Sequence, residues 1–105
     1  MLVAFSVAPS GGAGGGDSVH DAVAAAVAVV RASGLPNHTD AMFTTIEGEW
    51  DEVFAVIKDA TDAVGAFGTR VSLVLKADIR PGHTGELIGK VERLEQALER
   101  EAQLD

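Results

Sequence analysis

The chain contains no cysteine. A disulfide framework, a thiolate zinc site and a cysteine nucleophile are therefore excluded, and the composition suits a reducing cytoplasm. Basic residues are few: 8 Lys and Arg stand against 16 Asp and Glu, for a formal net charge of −8. Nucleic-acid binders show a basic face and anionic membranes select for one, so neither is an expected partner. Long apolar runs are also missing. The longest, Ala22–Val30, has nine residues, whereas a membrane span needs about 20. No basic stretch precedes the first apolar residues, so no secretory signal is expected.

Motif chemistry is thin as well. Residues 11–16 read GGAGGG, between a first strand and a first helix, where many α/β proteins hold a phosphate. A P-loop also needs GxxxxGK[ST], with the lysine reaching the phosphates. Here Asp17 and Ser18 follow Gly16, no lysine is present, and Asp17 would repel phosphate. A GxGxxG reading fails at position 17. The tract reads as a connector, or as a lid over a site at the strand's end. His20, His38 and His83 lack the short spacing of metal motifs, so no metal site is expected. Ser6 sits in no nucleophile elbow and no Ser–His–Asp order stands out. Nothing here points to catalysis.

What the chain does have is enough apolar material for one core. A length of 105 residues with 47% apolar content suits a single domain over 1–105, burying roughly 65% of its unfolded surface. Leu2–Ala8 alternates bulky Val3, Phe5 and Val7 with small Ala4, Ser6 and Ala8, which predicts a strand ending at Pro9. A helix follows, capped by Asp17 or Ser18, with a stripe of Val19, Val23, Val27 and Val30 and Gly34 past its end. Residues 35–48 read as one long strand or, given Pro36 and Asp40–Ala41, as a hairpin of Asn37–Asp40 and Met42–Glu47. Residues 49–68 predict a helix with Trp50, Val53, Phe54, Ile57, Ala60 and Val64 on its apolar face. Residues 69–80 predict a strand, with Val71, Leu73 and Leu75 on one face and Ser72, Lys76, Asp78 and Arg80 on the other. A last helix over Glu86–Ala102 carries a narrow stripe of Leu87, Val91, Leu94 and Leu98.

Strand, helix, strand, strand, helix, strand is the split βαβ, ferredoxin-like order, an α+β fold with an antiparallel four-stranded sheet and here an extra C-terminal helix. One sheet face is left open, and the extra helix or a second subunit is expected to cover it. Two polar clusters are candidate ligand contacts: Thr44, Thr45 and Glu47 on one strand, and Lys76, Asp78 and Arg80 on another, with Ser6 on the small-residue face of the first strand. A few polar groups in a partly apolar pocket make a small-molecule site.

The segments VAFSVAP, RASGLPNHTDAM, the M-x-T-x-I-E-G pattern at Met42–Gly48, the following WDEV, the K-x-D-x-R pattern at Lys76–Arg80 and GKVERLE in the last helix occur in this order along nearly the whole chain. Together they resemble the small thiamine-binding protein family, relatives of the YkoF-type hydroxymethylpyrimidine/thiamine-binding proteins. The glycine tract is longer than that family's usual loop. The resemblance implies a homo-oligomer, dimer or tetramer, that binds thiamine or its pyrimidine moiety without catalysis and without a separate cofactor. By position, Thr44 and Glu47 match the first motif and Lys76, Asp78 and Arg80 the second. The chemistry is compatible: a carboxylate can accept from the 4-amino group and a threonine hydroxyl can serve a ring nitrogen. Phe43 or Trp50 can face the cationic ring, and Lys76 or Arg80 is expected to orient Asp78. The alternative is an oligomeric structural or regulatory interaction protein with no thiamine-type ligand.

Overall fold

The computed structural model describes residues 1–11 and 18–104. The glycine tract beyond Gly11, and with it the connector and lid readings, lies outside the described residues, as does the choice of cap for the first helix. The elements are β1 (Leu2–Ser10), α1 (Ser18–Ala32), β2 (Asn37–Thr39), β3 (Thr44–Glu47), α2 (Trp50–Val64), β4 (Arg70–Asp78) and α3 (Glu86–Gln103). The four strands form one antiparallel sheet in the order β2-β3-β1-β4. This is the ferredoxin-like α+β arrangement expected from the element order.

The core lies between one sheet face and the pair α1 and α2. Val3, Phe5 and Val7 of β1 and Ile46 of β3 point into it and are buried, as period-2 alternation requires. Val53, Ile57, Ala60 and Val64 repeat at helical spacing on α2 and meet them. Burying each of the larger aliphatic side chains contributes roughly 1.5–3 kcal/mol. The first turn of α2 is closed by the Glu52 carboxylate, which accepts the Glu49 N–H at 3.1 Å, half of a capping box.

Four boundaries or faces differ from the sequence expectation. β1 runs through Pro9 to Ser10 and pairs with β4 along its full length. Beyond Phe5 it has no β3 partner, so a residue without an N–H is tolerated there. Met42 and Phe43 belong to a turn, not to β3. The Asp40 carboxylate accepts their two N–H groups at 2.8 and 2.9 Å, and these bonds hold its pKa below the ordinary value. On α1 the buried line is Ala22, Ala26 and Val30, while Val19 and Val23 remain exposed. Alanine lets the helix approach its neighbours closely, and the valines turn outward. Finally, α2 ends at Val64 and a 3-10 turn, Gly65–Phe67, completes the segment.

On β4, Val71 and Ala77 are half-buried against the core, but Leu73 and Leu75 are 40% and 37% exposed. The helix layer covers β1 and only brushes β4. α3 extends away from the body. Its Ile88, Val91, Leu94 and Leu98 are all more than half exposed, and the radius of gyration is 16.4 Å, against about 13 Å for a compact chain of this length.

Candidate functional site

Register assigns the faces. Leu2 stands opposite Glu47 on β3 and Asp78 on β4, Ala4 opposite Thr45 and Lys76, and Ser6 opposite Val74. His38 of β2 stands opposite Thr45. Strand alternation puts all of these on the open face of the sheet. Thr44 does not join them. It pairs with the buried Phe5, is itself 6% exposed, and its hydroxyl lies 3.1 Å from that of Thr39. A one-residue offset in a strand reverses the face, so Thr44 serves the core side while Thr45 faces the open side.

α3 crosses one end of that face, and Glu47 is what holds it there. Glu47 is 7% exposed, and its carboxylate lies under the helix. It accepts the N–H groups of Glu86 and Leu87 at 2.8 and 3.2 Å, the unsatisfied donors of the first turn of α3. A negative charge also complements the positive end of the helix dipole. Gly85, with φ of 68°, makes the turn that delivers the chain to this cap. Lys90 adds an ion pair to Asp78 at 2.6 Å, and that bond holds the Asp78 carboxyl below its ordinary pKa. The partner expected for Asp78 was Lys76 or Arg80. The helix supplies it instead, because α3 brings Lys90 over the end of β4.

Between α3 and the open face is a cleft of about 790 Å³. Leu2, Leu87 and Val91 give it apolar walls, and Thr45, His38 and Lys90 give it polar groups. That is the size and mixture of a small-molecule site. Of the residues singled out in the sequence, Thr45 lines the cleft. Asp78 and Arg80 line a smaller adjoining cavity of about 190 Å³. Ser6 and Lys76 share the open face but line neither cavity. Trp50 and Phe43 are not cleft residues either. Trp50 stacks on Phe54 with ring centroids 5.1 Å apart, and Phe43 lies in the Asp40 turn, so neither ring faces a ligand in the cleft.

Several groups at the site were not singled out in the sequence. His38 was considered only as a metal ligand and set aside for its spacing, and the pairing of β2 with β3 puts it beside Thr45. Lys90 enters with the first turns of α3, as do Leu87 and Val91, which the sequence marked only as part of an apolar stripe without saying where it docks. Glu86 is bonded to Arg93, which holds its carboxyl below the ordinary pKa, and His83 Nδ1 lies 3.6 Å from it. Among the described residues, no three His, Asp or Glu side chains gather as a metal site would need, and no helix is long and apolar enough to cross a membrane.

Comparison with known proteins agrees with this geometry. The chain is 52% identical over 99 residues to a UPF0045 protein of Mycobacterium bovis, covering 93% of this chain and 94% of the relative. It is 38% identical over 100 residues to a UPF0045 protein of Synechocystis, covering 94% of this chain and 80% of the relative. A crystal structure from Methanocaldococcus jannascii superimposes with a TM-score of 0.77 at 30% identity, over 90% of this chain and 94% of that one. A candidate thiamine biosynthesis/salvage protein of Thermotoga maritima superimposes with a TM-score of 0.70 at 25% identity, over 86% of this chain and 96% of that one. The sequence profile described as "Thiamine-binding protein" matches residues 3–95. That span runs from the first core residue of β1 into α3 and takes in both walls of the cleft, and the chain belongs to the thiamine-binding protein family.

Proposed function

We propose that the whole chain acts as one binding domain that takes thiamine or a related hydroxymethylpyrimidine into the cleft between the open sheet face and α3, without catalysing its conversion. The observation that carries this reading is the pairing of Thr45 with His38 on the floor of a mostly apolar 790 Å³ cleft. A flat aminopyrimidine needs both features. Its ring is desolvated against Leu2, Leu87 and Val91, and its nitrogens meet a hydroxyl and an imidazole that can each donate or accept. The net charge of −8 favours a cationic thiazolium in the surrounding field. Glu47 acts through α3: with both oxygens bonded to the helix, it positions the cleft wall and is not a direct ligand acceptor. The ligand is cargo, with no separate cofactor.

Homo-oligomerisation, as dimer or tetramer, is part of the same reading. The exposed stripe Ile88, Val91, Leu94 and Leu98 on α3 and the exposed Val74 on the open face of β4 are apolar surface of the kind that subunits bury. A cytoplasmic location rests on the cysteine-free composition. Calorimetric titration with thiamine and with hydroxymethylpyrimidine tests the ligand. Saturable binding that weakens about tenfold or more in Thr45→Val, with unchanged melting, supports it. No heat from either compound at millimolar concentration, in a protein that still self-associates, replaces it with the interaction-protein reading.

A further inference from the structure

The adjoining 190 Å³ cavity shares Leu2, Glu86 and Lys90 with the large cleft, so the two lie side by side, an apolar lobe and a charged lobe. The charged lobe is unusual for this chain. It is lined by the cations Arg80, Lys90 and Arg93 and the carboxylates Asp78 and Glu86, a local excess of positive charge in a chain whose net charge is −8. Two of the cations are committed. Lys90 is bonded to Asp78, which ties α3 to β4, and Arg93 is bonded to Glu86 within α3. Arg80 belongs to neither pair and has no carboxylate partner among the described residues. Its charge is felt at both acids without bonding either. His83, which lines the same cavity, is a second donor.

An unpaired arginine on a plain surface is simply solvated. This one lines a charged cavity that adjoins a ligand-sized cleft, beside acids that are already paired. A guanidinium offers a planar fork of donors suited to a phosphate. Resting on the ligand reading above, we infer that the charged lobe receives the phosphate of a phosphorylated ligand: the site takes the phosphate monoester of a small heterocyclic alcohol, with the ring in the apolar lobe and the phosphate on Arg80.

The test compares hydroxymethylpyrimidine with its phosphate monoester by calorimetry, on the parent and on Arg80→Gln. The phosphate is expected to bind the parent at least tenfold more tightly than the alcohol. In Arg80→Gln that preference is expected to fall to threefold or less, with the melting temperature unchanged. Equal affinities on the parent, or a preference that survives Arg80→Gln, overturn the phosphate inference and leave the ligand reading standing. Binding of neither compound overturns both.

Discussion

Glu47 is where the sheet and α3 are fastened, and its removal has a definite expected consequence. In Glu47→Gln the side chain keeps its shape but loses its charge. One oxygen remains to accept an N–H, and the amide nitrogen, a donor, now faces the other. The first turn of α3 thus loses one of the two bonds made by Glu86 and Leu87 at 2.8 and 3.2 Å and the charge that assists both. A hydrogen bond to a charged group is worth about 1.5–3 kcal/mol, and at 7% exposure water does not readily replace it. α3 makes few other contacts with the body, so the loss falls on local docking before global unfolding. Converted at about 1.4 kcal/mol per factor of ten, exchange of the Glu86 and Leu87 amides is expected to accelerate by roughly 10- to 100-fold. Exchange at Ile46 and Val53 in the core is expected to change little. Amide hydrogen exchange read by NMR makes the comparison within one sample. Unchanged exchange at Glu86 and Leu87 would refute the capping role, and equal acceleration in the core would refute the local character of the docking.

Acid is expected to release the same helix. Asp78, whose bond to Lys90 ties β4 to α3, and Glu86, whose bond to Arg93 lies within α3, both have folded-state pKa values lowered first by those bonds. Their stabilisation is therefore complete above the ordinary carboxylate values near 4 and is lost as pH falls through the lowered ones. Protection of the α3 amides, taken relative to their intrinsic exchange and measured from pH 7 downward, should be steady above about pH 5 and fall below about pH 4; a fall between pH 7 and 6 would contradict the assignment. Replacing Leu94 and Leu98 with Lys is expected to convert an oligomer to smaller species in analytical ultracentrifugation, and a parent that sediments as a monomer at micromolar concentration would remove the case for a second copy on α3. Gly68→Ala is expected to lower stability by about 1–3 kcal/mol, because a Cβ there would sit 2.9 Å from the Gly11 carbonyl oxygen and 3.0 Å from that of Ser10. Denaturant unfolding within 0.5 kcal/mol of the parent would show that the β1 end has room to shift.

Local pattern carried the fold well because each element announces itself. Val3, Phe5 and Val7 alternate and Val53, Ile57, Ala60 and Val64 repeat at helical spacing, and these signals do not depend on distant partners. The sequence reading failed where a neighbour decides. The buried face of α1 is set by close packing through Ala22 and Ala26, and valines counted by size pointed to the wrong side. Phe43 was placed in a strand because its type suits one, and the Asp40 carboxylate, which takes its N–H, won. The site was half legible for the same reason. Asp78 could be named from its motif and Thr45 from the polar cluster on its strand, whereas the motif threonine, Thr44, turns to the core side. The cap from Glu47 to Glu86 spans 39 positions, the pair from Lys90 to Asp78 spans 12, and His38 reaches the cleft only through strand register. None of these is a local property of the chain.

The central claim is that ligand binds between the open sheet face and α3. Amide chemical-shift mapping during titration with thiamine tests it most directly. Saturable shifts are expected at His38, Thr45, Leu87 and Val91, from three segments, β2, β3 and α3, that meet at this cleft. Shifts confined to Val23, Met42 and Phe43 at the opposite end of the sheet, or no saturable shifts at millimolar thiamine, would contradict it.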